Sequence, residues 1–182
     1  MALMSQTELD SQPLDIPSPG RYAISPEHST AVIRTRHLFG LGAVRASLDL
    51  RDGRVLVTDP PESSAVHAHF AVPTFQSGNG ARDAAVLSPR LLHAEAFPTM
   101  SFTSTELASQ HDQWWLRGEL EVRGVSRPVE ARVTGLHADG ATFRASAQVV
   151  IDRYDFGITA YRGLAARRLT VDVTVVAERE RS

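Results

Sequence analysis

The chain has 182 residues, 42% of them hydrophobic and 22% charged, with a formal net charge of −2; it is long enough to bury a core of its own and carries no global basic field for nucleic acid or anionic surfaces. It contains no cysteine, which excludes disulfides, thiol catalysis, thiolate metal sites and lipid attachment through Cys. All 19 basic residues are Arg, a bias that genomic base composition explains without a recognition role.

Residues 1–20 are polar and punctuated by Pro13, Pro17 and Pro19, which predicts a disordered N-terminal tail followed by one folded domain over 21–180. The first ten residues show neither a basic stretch nor an apolar one of the kind a signal peptide needs. No apolar run approaches the ~20 residues of a membrane helix. The expectation is a cytoplasmic chain that does not span a membrane.

From Tyr22 onward the dominant period is two, the period of a strand with one buried face. Val44, Ala46, Leu48 and Leu50 alternate with Arg45, Ser47, Asp49 and Arg51, and Asp52-Gly53 then reads as a hairpin turn. Ser77-Gly78-Asn79-Gly80 reads as a loop. Residues 81–87 and 89–96 have helical composition, with Ser88 placed to cap a helix that starts at Pro89. Phe97-Pro98 ends that insertion. Alternation resumes with Leu116, Gly118, Leu120 and Val122, and again with Val129, Ala131 and Val133. Residues 124–128 between them read as a longer turn. Asp139-Gly140 predicts a further hairpin, followed by Phe143, Ala145, Ala147, Val149 and Ile151, and finally by Leu169, Val171, Val173 and Val175.

About eight one-faced strands close as a sandwich or a barrel. The succession of hairpins with a single short helical insertion favours an all-β, antiparallel barrel. Parity places Ala46, Leu48, Phe102, Leu120, Ala131, Phe143, Ala145 and Ala147 on its inner face. Several inward positions are small, Gly118 among them, which leaves volume for an apolar cavity. The alternative is that the helix and the large residues Phe70, Phe102, Trp115 and Phe143 fill the space. The sequence alone leaves these two open.

Among polar groups, His67 and His69 share one face of a strand, with His28, His37 or His111 as a third ligand if they held a metal. A bare His-x-His is a weak signal, and no metal site is expected. No nucleophile elbow or phosphate loop is present. Arg82 and Asp83 flank the Gly-rich loop, while Asp152, Arg153 and Asp155 sit at a strand end. The expectation is one structural cluster in which the two sets pair and fix the insertion on the barrel.

Five blocks in order resemble the YceI-like family. They are Tyr22-Ala23-Ile24-Ser25-Pro26-Glu27-His28-Ser29, Ser77 to Asp83 with Leu87, Phe97 to Thr105, Leu116 to Leu120 with Arg123 to Val129, and Ile151-Asp152-Arg153-Tyr154-Asp155-Phe156-Gly157-Ile158. The resemblance implies an extended lipocalin-like barrel that binds polyisoprenoids or similar amphipathic lipids. Many such proteins are periplasmic. Together with the apolar inner face, it implies a carrier that sequesters a polyisoprenoid, an isoprenoid quinone or a fatty-acid derivative in a tunnel lined by most of the eight inward residues. The rivals are an isomerase or cyclase acting on such a lipid and a stress-related scaffold. No cofactor other than a bound lipid is expected, no nucleic-acid partner, and a homodimer is left open.

Overall fold

The computed structural model describes residues 14–37 and 42–181. Nine antiparallel strands run β1 Gly20–Ile24, β2 Thr30–His37, β3 Gly42–Val57, β4 Ala65–Ala71, β5 Thr99–Gln110, β6 Gln113–Val122, β7 Val125–Asp139, β8 Thr142–Asp152 and β9 Arg168–Arg179, with helix α1 at Gly80–Leu87 between β4 and β5. The sheet order is β1-β3-β2-β9-β8-β7-β6-β5-β4, and β3 also pairs with β4, so the sheet closes on itself.

Nine strands occupy eight positions. β1 pairs with residues 54–57 of β3 and 177–179 of β9. β2 pairs with residues 42–49 of β3 and 170–174 of β9. The two therefore fill one slot in succession, separated by a 3-10 turn at Pro26–His28. At the break the Ser25 amide donates to Val176 O at 2.8 Å, and the Val176 amide donates to Ser29 Oγ at 3.0 Å. A buried hydroxyl thus stands in for a missing ladder partner.

Three bulges tune the wall. The register shifts between Leu50 and Asp52, between Ser104 and Glu106, and between Val133 and Gly135. Each extra residue reverses the inward phase: Leu50 is followed inward by Val55, Phe102 by Leu107, and Val133 by Leu136. Asp52-Gly53 is consequently not a hairpin turn. β3 runs straight through it, and Gly53 is required because a Cβ there would lie 2.6 Å from Ile24 Cδ1 and 2.8 Å from His67 O. The β6–β7 link is also tighter than the sequence suggests. Val122 pairs with Val125, leaving only Arg123 and Gly124, both at positive φ (53° and 71°).

Two further expectations are corrected. Asn79 caps α1 by accepting from the Arg82 amide at 2.9 Å, but residues 89–96 form turns and no second helix. Ser88 closes the end of α1, donating from Oγ to Ala85 O at 2.7 Å. The chain then folds back, so that the Leu92 and Ala94 amides reach Val86 O and Leu87 O at 2.8 and 3.0 Å. The free carbonyls at the end of α1 are satisfied this way, in competition with a new helix. Part of the expected 1–20 tail is docked on the barrel. Residues 1–13 lie outside the described part, but the Asp15 amide donates to Leu136 O at 3.1 Å, and Asp15 Oδ2 accepts from the Ala138 amide at 3.2 Å. Tyr22 donates from its hydroxyl to Ser18 O at 2.8 Å, and Arg179 donates to Ser18 O and Pro19 O.

Apolar packing is divided among three clusters. Tyr22, Ile24, Leu50, Val57, Phe143 and Ala177 plug one end, with Tyr22 and Phe143 edge to face at 5.0 Å. Leu120, Val122, Phe156 and Ile158 gather near the other. Ala31, Leu48 and Val171 form a third on the wall.

Candidate functional site

Between these clusters lies a cavity of about 720 Å³. Its wall comes from the inward phase of all nine strands. Ala46, Leu48, Phe102, Leu120, Ala131, Phe143, Ala145 and Ala147 all lie on it. The large side chains do not fill it. Phe143 packs into the end plug beside Tyr22. Trp115 is absent from the wall, and its neighbour Trp114 stands there instead. Gly118 has a different role from the small alanines. A Cβ on it would come within 2.6 Å of the Phe102 ring and 2.4 Å of Thr103 O, so its missing side chain seats Phe102 and leaves no cavity volume.

The cavity is long. It reaches from Leu14, Ile16 and Pro17, docked beside Leu136, to Ile151, Ile158, Tyr161 and Leu164. Ala145 to Ile151 along β8 alone accounts for about 20 Å at the rise of a strand. Sequence reading missed both ends. The Leu14-x-Ile16-Pro17 pattern was the available signal for the first. For the second, the apolar residues sit in irregular loops without a period to reveal them.

The far end is shaped by Arg153, 6% exposed. Its guanidinium donates to Ala166 O at 2.9 Å, Ile158 O at 2.8 Å, Ala160 O at 2.7 Å and Ala165 O at 3.3 Å. One side chain thereby gathers the loop of residues 157–167. Burial pulls its pKa below the ordinary arginine value, partly offset by Tyr154 and Asp152; the group remains a cation, and carbonyl dipoles compensate it. Asp152 accepts from the Tyr154 amide at 3.0 Å and from Arg167 Nε at 2.6 Å. The Arg90 guanidinium stacks over Tyr161 at 5.1 Å.

The single polar cluster expected of Arg82, Asp83, Asp152, Arg153 and Asp155 does not form among the described residues. Arg82 donates to Ser77 Oγ at 3.2 Å, and Asp83 accepts from the Ser77 amide at 2.9 Å. Asp152 and Arg153 are satisfied within their own loop, and Asp155 is exposed. Short-range partners within each loop outcompete the long-range pairing. His67 and His69 lie on the outer face of β4, away from the cavity, since Ala68 between them is the inward, buried residue. Among the described residues no group of three or more His, Asp or Glu is placed to hold a metal; the side chain of His37 lies outside the described part.

A closed antiparallel barrel, with one slot shared by two strands and an elongated apolar cavity inside, defines the class of protein. Residues 22–178 match the YceI-like domain, and the chain belongs to the YceI-like family. It is similar to Protein YceI of Salmonella arizonae, 26% identical over 157 residues that cover 82% of this chain and 81% of that one. Among solved structures it resembles BcnA of Burkholderia cenocepacia (TM-score 0.74, 15% identity, 84% of this chain and 98% of that one). It also resembles a polyisoprenoid binding domain from Saccharophagus degradans implicated in plant cell wall breakdown (TM-score 0.67, 10% identity, 90% and 100% covered). At these identities the two structures attest the fold. No helix among the described residues is long and apolar enough to cross a membrane.

Proposed function

We propose that this chain binds and carries a long-chain amphipathic lipid, a polyisoprenoid, isoprenoid quinone or fatty-acid derivative, with its tail inside the barrel. The observation that carries the reading is the elongated, apolar cavity of about 720 Å³, within the range of small-molecule sites. Every ~100 Å² of tail removed from water contributes about 2.5 kcal/mol before the costs of association. Specificity for length and branching then follows from the shape of the wall, and no charged contact is required along the tail.

A carrier suits the chemistry of the wall better than an enzyme. Among the described residues its only ionisable side chains are Arg82, Arg153 and Tyr161. Arg153 is committed to four carbonyls. Among the described residues no carboxylate or imidazole lines the cavity to move protons on a bound lipid. The similarity to a polyisoprenoid binding domain supports the ligand class.

The test is native mass spectrometry of the purified chain, organic extraction of what it carries, and titration of the stripped protein with an isoprenoid quinone and a fluorescent fatty acid. One apolar molecule per barrel, released unchanged, is the expected result. A barrel that co-purifies with nothing and binds neither probe at tens of micromolar would sink the reading.

A further inference from the structure

We propose that His67 and His69 form a binding site for a divalent transition-metal ion on the outer face of the barrel. It is independent of the cavity and of whatever the cavity holds. The two side chains leave β4 on the same side, and their Nε2 atoms stand 3.1 Å apart with the rings perpendicular, 4.5 Å between centroids. Two imidazole nitrogens at ~2.0–2.1 Å from a tetrahedral zinc lie about 3.3 Å apart. The pair is therefore within a few tenths of an ångström of chelating geometry.

The far nitrogens are both held. His69 Nδ1 donates to Asp52 Oδ1 at 2.5 Å, and His67 Nδ1 lies 2.9 Å from Thr103 Oγ1. A carboxylate behind a histidine fixes its tautomer, leaves Nε2 with a free lone pair and raises its basicity as a ligand. Asp52 is steadied in turn by Arg51, whose Nε donates to Oδ2 at 2.7 Å. The β3 bulge at Arg51 brings Asp52 into register opposite His69, a use of bulges to re-aim a side chain. The nearby cations are engaged: Arg51 pairs with Asp52, and Arg54, opposite His67, pairs with Glu180 at 3.3 Å. His67 is exposed and His69 partly so, so an ion reaches both from solvent and water completes its shell.

Without metal, the chain of bonds runs from the Thr103 hydroxyl to His67 Nδ1, from His67 Nε2–H to the His69 Nε2 lone pair, and from His69 Nδ1–H to Asp52. Binding replaces the middle bond. The His67 proton moves from Nε2 to Nδ1, the Thr103 hydroxyl turns from donor to acceptor, and both Nε2 lone pairs go to the ion with no net proton release. Imidazole donors with open positions suit Cu²⁺, Ni²⁺ and Zn²⁺ over Mg²⁺ or Ca²⁺.

Calorimetric titration of the full chain with Cu²⁺ and with Zn²⁺ tests the site. The expected result is one ion per chain. Affinity falls at least tenfold in His67→Ala and in His69→Ala, ten- to a hundredfold in Asp52→Asn, and is unchanged in His111→Ala, an exposed histidine at the β5–β6 turn, eight residues along the chain from Thr103. Electron paramagnetic resonance of the Cu²⁺-loaded wild type should show superhyperfine coupling to two imidazole nitrogens, a readout independent of how the variants fold. Absence of that coupling, or a wild type that binds no tighter than the His67→Ala/His69→Ala double variant, would overturn the proposal.

Discussion

Replacing Ala147 with Phe separates an open tunnel from a packed core. Ala147 lies on β8 opposite Val133 and Val173, and all three line the cavity. The added ring enters space that the wall leaves empty. The ligand-free protein should keep its stability to within about 0.5 kcal/mol, against the ~1–3 kcal/mol that overpacking a solid core costs. For a chain of this length that penalty would lower Tm by about 2–12 °C. A bound tail, in contrast, loses the stretch of wall the ring now covers. If ~100 Å² of its apolar contact is lost, affinity drops by about 2.5 kcal/mol, roughly 70-fold. Thermal melts of the stripped protein, paired with quinone titration, measure both quantities on one sample. A Tm lowered by more than about 4 °C, with affinity within twofold of wild type, would refute the tunnel reading.

Gly118→Ala should have the opposite signature: its Cβ meets the Phe102 ring at 2.6 Å, so a loss of ~1–3 kcal/mol in urea unfolding is expected, and trimming the ring with Phe102→Leu should recover part of it. Arg153→Leu strips the donor from four carbonyls and should cost about 2–4 kcal/mol, with amide exchange accelerating over residues 158–167; Arg153→Lys should rescue only part, because an ammonium cannot fork across four acceptors. Asp52 titrates below its ordinary value, held down by the hydrogen bond from His69 and then by Arg51. Its contribution to stability is therefore present above about pH 4 and lost as the pH falls through the depressed pKa. The Tm difference between wild type and Asp52→Asn should persist at neutral pH and close as the pH falls below the ordinary carboxylate range; a gap that widens below about pH 4 would contradict the assigned sign.

Strand faces were legible because period two is local. The run from Phe143 to Ile151 writes one wall of the cavity directly, and the eight residues read as inward stand on its lining, each on one side of a bulge. The bulges themselves were not legible. Arg51, Thr105 and Thr134 are ordinary polar residues whose extra position becomes apparent only when a partner strand supplies the register. Asp52-Gly53 resembles a turn because glycine there suggests positive φ, yet it serves the close approach of Ile24 and β4. Conversely, His111 and Asp112 turn the β5–β6 hairpin at φ 50° and 61° without any glycine. The cavity ends were hidden for a further reason. Arg153 acts through carbonyls in a loop up to 13 residues away, and backbone acceptors leave no mark in a sequence.

The slot shared by β1 and β2 has a consequence for how the barrel assembles. Both short strands lean on β9, and the Ser29–Val176 bond spans 147 residues of chain. Hairpins from β5 to β8 close short loops and form early, but the seam between the N-terminal pair and the rest waits for the final strand. On the ribosome, a chain not yet extended past Arg168 holds two bare sheet edges, one along β1 and β2 and one along β8, and its apolar inner face stays open between them. The cavity thus comes into existence in the last step of folding, and until then the surface destined for a ligand is the one most exposed to aggregation.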